Sequence, residues 1–372
     1  MQIQNYIRLI LRHILFRYWG LGGQKKNIRD LISRLKTQRK YFSYPFDKHP
    51  PTIANYTFFR KSDLKWFDFY YSVYGKPDHN FISVPVYLYI ETCLNDRMLN
   101  YAIKEKNFYD KFLTEIPTPT TVLRRINGFY YNDKFQKIDK QNIMTLLYTH
   151  KKLILKPSID TGAGRSIFLF ENKDGIFDNG EFDLNPEFLD GFKKDFIIQE
   201  FVTQHSFFSQ FNPSSNNTIK IFAYRSINDD SVNLLHTIFW VGAKGHFLDH
   251  DHWGGFGLSI NDDNRIDKHA IDVYGNKYES VNNIRLSSLD KVPAMDEMRA
   301  LSKKIANSIY YGRLLALDFT VNIDGNPLLL DINCRSNGIH QYQMHNGGLF
   351  KAFTKEILDY CQNYQPRFVA RI

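Results

Sequence analysis

Asp318 and Asp331 lie inside runs as apolar as LLALDF and PLLLDIN, where a carboxylate is costly unless a cation pairs with it. Asp324-Gly325 reads as the turn between the two runs, and antiparallel pairing across it brings Asp318 near Asp331 and Asn333. Asp331 and Asn333 are two residues apart and share one strand face, with Arg335 next on it. Such a set of oxygen donors suits Mg²⁺, which takes a few carboxylates, waters and phosphate oxygens. The alternative is a pair of edge-strand acids facing water. Lys156 ends the apolar run LILK, and a loop with Gly162 and Gly164 follows. Glycines let backbone N–H groups turn toward phosphate oxygens, and the lysine adds a point charge. The segment is not a Walker loop, which needs Lys directly after its last Gly. A hairpin with a solvated lysine is the plain alternative.

Two further segments could serve a nucleotide. In FIIQEFVTQH an apolar strand ends at Gln199-Glu200, and Phe201-Val202 begin an extended linker. Such a linker offers backbone donors and acceptors to an adenine edge, with Gln204 or His205 placed for a ribose hydroxyl. In NNTIKIFAYR, Lys220 shares a strand face with Thr218 and could reach a bound anion; an exposed strand cation reads as well. HFLDHDHW would set His246, His250 and His252 on one face if extended, but no cysteine assists a zinc site there. A substrate-facing loop is the preferred reading.

The elements that must position these residues are mixed. Residues 81–113 read as largely helical, ending where Pro117 and Pro119 force an extended chain. From Thr121 come short β-like runs: TVLRR and FYY across an Asn127-Gly128 turn, then KLILKPS, SIFLF, DFIIQEFV, TIKIFAYR and NLLHTIFWVGA. A helix is expected near Met295–Tyr310, a strand pair across Asp324-Gly325, and a closing helix near Leu349–Tyr360. Many hairpin signals favour an α+β fold over a strictly alternating parallel sheet. The boundaries read as a basic amphipathic segment 1–40, a helical region 41–115, a lobe 116–205 carrying Lys156, and a lobe 206–372 carrying the acids.

The 372 residues carry a formal charge of +9, and residues 1–40 hold all of it, with ten Lys or Arg against one acid. From Tyr41 onward basic and acidic residues balance at 38 each. A balanced body argues against a nucleic-acid partner, which needs an excess of cations along the phosphate track. Cys93, Cys334 and Cys361 are too few and scattered for a disulfide framework, in keeping with a reducing cytoplasm. No run approaches the roughly 20 apolar residues of a membrane span. IRLILRHILFRYW, near the start, joins apolar and basic residues; it could rest on the inner face of an anionic membrane, or pack on the body as an ordinary basic helix.

Taken in order, these segments resemble the ATP-grasp superfamily, and more closely its sugar-transfer-associated family, related to alpha-L-glutamate ligases. The resemblance is carried by Lys156 and its Gly loop, Gln199-Glu200 at the linker, the NPSSNNTIK run, Trp253-Gly254-Gly255, Asp318 with Asp331-Ile-Asn333, and Gln341-Tyr342-Gln343. It implies two α+β lobes with antiparallel sheets gripping ATP. It further implies that Lys156 and a second lysine, Lys106 with Lys104 and Lys111 as rivals, contact phosphates. Gln199 to Val202 and His205 would meet the nucleoside, and Asp318, Asp331 and Asn333 would hold Mg²⁺. Arg335 and Lys220 would act on the reacting groups. Two positions depart from the family pattern: Asp stands at both acidic sites, and Lys220 replaces an arginine that would bind bidentately. The expected activity is ATP- and Mg²⁺-dependent joining of a carboxylate to an amine through an acylphosphate, in cell-surface polysaccharide chemistry with a small molecule, sugar nucleotide or glycan as partner. The alternatives are phosphoryl transfer to a sugar, or nucleotide binding without catalysis in a glycan-assembly complex.

Overall fold

The computed structural model describes residues 24–95, 102–159, 164, 166–247, 249 and 254–364. Helix α1 occupies 24–37, α2 Leu64–Tyr74 and α3 Val84–Leu94. Ser83 accepts the Val86 N–H at the start of α3, with a proline in its first turn, so the entry is capped as a helix start should be. The helical reading of 81–113 is only partly met. At Asn95 the backbone turns extended (φ −121°, ψ 124°), and its side chain bonds Leu314 N, Leu314 O and Cys334 O. Those buried tertiary bonds outweigh the local helical pattern. Beyond the gap, residues 102–104 are helical, and the short helical turns Lys106–Phe108 and Tyr109–Phe112 follow.

The first sheet has six strands: β1 (Thr121–Ile126), β2 (Phe129–Tyr131), β3 (Lys152–Pro157), β4 (Phe168–Lys173), β5 (Ile176–Asp178) and β6 (Phe196–Glu200). Their order is β2-β1-β6-β3-β4-β5, with every pairing antiparallel. The expected Asn127-Gly128 turn is present, both residues at positive φ (51° and 82°), as a two-residue hairpin requires. Leu153 and Leu155 of β3, Phe170 of β4, and Phe196 and Ile198 of β6 bury one face against Leu147 and Leu189. Alternation sends Ile154, Lys156, Ile197 and Gln199 to the other face.

The second sheet has seven strands in the order β11-β10-β9-β8-β7-β14-β15. These are β7 (Ile219–Arg225), β8 (Val232–Val241), β9 (Phe256–Ile260), β10 (Ile266–Ile271), β11 (Lys277–Tyr278), β14 (Leu314–Val321) and β15 (Pro327–Asn333); β12 (Ser280–Val281) and β13 (Ile284–Arg285) form a separate ribbon. Both faces are covered. Ile219, Ile221, Leu315, Leu317 and Phe319 pack on α4 (Met295–Ser308), whose buried Met295, Met298, Ser302 and Ile305 recur at helical spacing. Phe222, Tyr224, Leu314 and Ala316 face a second core with α1, α2, α3, α5 (His340–Asn346) and α6 (Thr354–Gln362). Parity therefore puts Lys220 and Asp318 on this second face, at its margin.

Candidate active site

The Asp324-Gly325 hairpin sets Asp318 of β14 directly opposite Asp331 of β15, and Ala316 opposite Asn333. On the other side of β14, Asp318 pairs in register with Lys220 of β7. Side-chain contacts follow the register. Lys220 Nζ stands 3.2 Å from Asp318 Oδ1, and Asn333 Nδ2 donates to Asp318 Oδ2 at 2.9 Å. Burial pushes the Asp318 carboxyl up to about 6, against the pull of Lys220 and with the push of Asp331. Burial works against the Lys220 charge, yet Asp318, and then Asp249 and Asp331, hold its pKa above the ordinary value.

Asp331 goes the other way. Burial opposes its charge, but Lys106 and Lys156, aided by the Tyr109 hydroxyl, bring its pKa below the usual carboxylate value. Lys106 Nζ lies 3.1 Å from Asp331 Oδ1, and Tyr109 Oη donates to the same oxygen at 3.1 Å. The Lys106 N–H also donates to Ser158 O, which ties its segment to the end of β3. Lys156 crosses from the first sheet to the second, its Nζ donating to Leu330 O at 3.2 Å. Leu330 is the residue skipped where the β14–β15 register shifts, so its carbonyl falls outside the ladder. Burial, and then repulsion from Lys106, lower the Lys156 pKa to about 8. Of the rival lysines, Lys111 lies over the Phe135 ring.

Other expected nucleotide residues are placed less directly. Gly162 lies outside the described residues; Gly164 has φ 73° and accepts the Ile167 N–H. Gln199 Nε2 donates to Pro119 O within the first sheet. Glu200 faces His150 at 2.7 Å, and the Phe201 N–H donates to Lys152 O. Val202 is buried, as is Ile197, and neither belongs to the three hydrophobic cores. Gln204, far from any exposed position, bonds Asn217 and Thr320, while His205 Nδ1 accepts the Phe207 N–H as a helix cap. Arg335, half-buried, follows β15 in the bend before α5. Burial pushes the Cys334 thiol up to about 12, so it is no thiolate nucleophile at neutral pH.

Two residues near the acids, Tyr109 and Glu91, carried no signal in sequence, and a third, Asp249, lies in the segment read as a substrate-facing loop. Tyr109 bridges Asp331 Oδ1 and the Ile332 N–H. Glu91 of α3, 4% exposed, accepts the Ser336 N–H at 2.6 Å and the Asn337 N–H at 3.2 Å, and so pins the bend just after Arg335. Asp249, from the histidine-rich segment, accepts the Thr218 N–H at 2.8 Å, and its charge is felt by Lys220. His250 and His252 lie outside the described residues.

The donor set fits Mg²⁺. Two carboxylates face each other across the hairpin, and Asp318 Oδ1 is shielded from solvent with the Lys220 ammonium 3.2 Å away. Among the described residues no group of three or more His, Cys, Asp or Glu side chains could hold a metal, so an ion here would complete its shell with an amide oxygen, phosphate and water. Among the described residues no helix is long and apolar enough to cross a membrane.

Residues 89–357 match the family profile described as sugar-transfer associated ATP-grasp. Among solved structures the chain resembles the ATP-grasp ligase PsnB complexed with its minimal precursor (12% identity, TM-score 0.40), covering 72% of this chain and 62% of that one. It also resembles N5-carboxyaminoimidazole synthetase from Staphylococcus aureus (9%, TM-score 0.40, 71% and 52% covered). A third is D-cycloserine synthetase DcsG (11%, TM-score 0.40, 72% of each chain). The chain thus spans somewhat less than two thirds of the PsnB structure it matches. No curated protein matches the sequence.

Proposed function

The chain belongs to the sugar-transfer associated ATP-grasp family, and from that premise we propose that it is an ATP- and Mg²⁺-dependent carboxylate–amine ligase. The observation that supports this reading most directly is that Lys106 pairs with Asp331 and Lys156 bonds the adjacent Leu330 carbonyl, with Asp318 directly opposite Asp331. Asp318, Asp331 and Asn333 would hold Mg²⁺, which would supply neutralisation of the phosphate oxygens. Lys156 and Lys106 exchange their protein partners for the β- and γ-phosphates. A substrate carboxylate oxygen attacks the γ-phosphorus as its bond to ADP breaks, giving an acylphosphate. Arg335 and Lys220 steady the charge that builds there. An amine nitrogen then attacks the acyl carbon, loses a proton, and inorganic phosphate leaves. No side-chain nucleophile is needed.

We place the reaction in the synthesis or modification of cell-surface polysaccharide, in the cytoplasm. The family's association with sugar transfer supports the first, and three buried, scattered cysteines are compatible with the second. Purified protein with Mg-ATP and panels of sugar acids and amines should release ADP and phosphate and yield an amide. Phosphate retained on a sugar would replace this reading with phosphoryl transfer. Normal nucleotide binding with no turnover of any pair would leave only the binding role.

A further inference from the structure

We propose that the outer face of α1, extended by the start of α2, is a docking surface for an anionic lipid bilayer. The helix is two-sided. Ile28, Leu31, Ile32 and Leu35, at helical spacing, are buried in the core shared with α2 and α6. The opposite side and the turn after it expose Lys25, Lys26, Arg29, Arg34, Lys36, Arg39 and Lys40 against one exposed acid, Asp30. None of the ion pairs found among the described residues uses any of these seven cations. Arg34 and Lys36 lie over the rings of Tyr274 and Tyr41, which holds their heads at the surface. Lys25 shares a shallow hollow with Arg60, and exposed Lys61 and Lys65 follow in the chain.

The burial pattern decides the kind of contact. A free amphipathic helix would sink its apolar side into the bilayer. Here that side is already used by the protein core, so α1 offers charge alone. Charge complementarity with acidic headgroups is what this face can satisfy, and each cation near such a surface raises partitioning about fivefold. A nucleic acid fits less well, since the chain from Tyr41 onward adds no net positive charge to continue a phosphate track beyond this segment. From Tyr41 onward the chain is neutral overall, so the attraction would orient the molecule with α1 toward the membrane.

The test is co-sedimentation of the full chain with vesicles of phosphatidylcholine, with or without phosphatidylserine. Binding should require phosphatidylserine and fall steeply with salt. The variant Lys25→Gln, Lys26→Gln, Arg29→Gln should bind about a hundredfold more weakly. An unchanged far-ultraviolet spectrum and melting temperature would show that it still folds. Equal sedimentation with both vesicle types, or unchanged binding of the variant, would overturn the proposal. So would displacement of the protein from vesicles by an equal phosphate concentration of duplex DNA.

Discussion

The six-stranded and seven-stranded sheets are both antiparallel, but they are packed differently. The first buries one face in a core of its own and turns Ile154, Lys156, Ile197 and Gln199 the other way. The second is covered on both faces, and its acids stand at the edge of one of those cores. A sheet clamped between two cores cannot shift without disturbing both. A sheet with one core can tilt against its neighbour, and the Lys156 hydrogen bond to Leu330 O is the sort of contact that such a movement breaks and remakes. On the proposed reading the labour divides accordingly: Mg²⁺ and the reacting atoms would sit on the sheet held between two cores, and the other sheet would cover the nucleotide.

The largest effect should come from the rigid side. Asp331→Ala removes a proposed metal ligand and the partner of Lys106, and kcat/KM for ADP release should fall about a thousandfold. Activity within tenfold of the parent would undo the assignment of the acids. On the six-stranded sheet, Lys156→Met should weaken ATP binding about a hundredfold by calorimetry, with a smaller change in kcat at saturating ATP. An intact affinity would move the phosphate contact elsewhere.

Glu91→Gln sharpens the comparison from outside both sheets. It keeps the shape but removes the charge that holds the Ser336 and Asn337 N–H groups, so kcat should drop about tenfold while KM for ATP stays put. If KM moved and kcat did not, Glu91 would be supporting the fold rather than aiming Arg335.

The pH profile of kcat/KM probes both sheets at once. Asp318 is charged only above about 6, and Lys156 only below about 8, so the profile should be a bell between them. Lys156→Arg should keep the acid limb and push the basic limb beyond the measurable range. The smallest change is expected for Lys220→Arg, which keeps the charge opposite Asp318; kcat should stay within about threefold.

Much of the second sheet was legible before any coordinates. A turn at Asp324-Gly325 and a period of two are enough to set Asp318 against Asp331, and the structure has that register. The Asn127-Gly128 hairpin is of the same kind. Other site readings depended on where free donors end up. Gln199, Gln204 and His205 read as nucleotide contacts in a linker; in the structure their side chains bond Pro119 O, Asn217 O and Thr320, and the Phe207 N–H respectively. Glu91 lies in an apolar helix about 245 residues from the loop it holds, and no local pattern relates the two.

By itself the sequence determined where the excess charge lies, which residues share a strand face, and which strands meet across tight turns. These follow from backbone geometry over a few residues, and few alternatives exist at that range. Tertiary structure alone decided that Lys106 meets Asp331, that Leu330 bulges to receive Lys156, and that the apolar side of α1 is spent on the core. Each joins segments far apart in the chain, where many pairings satisfy the same local rules. The shifted pKa values of Asp318 and Lys156 arise from burial and neighbouring charge, which exist only once those segments have met.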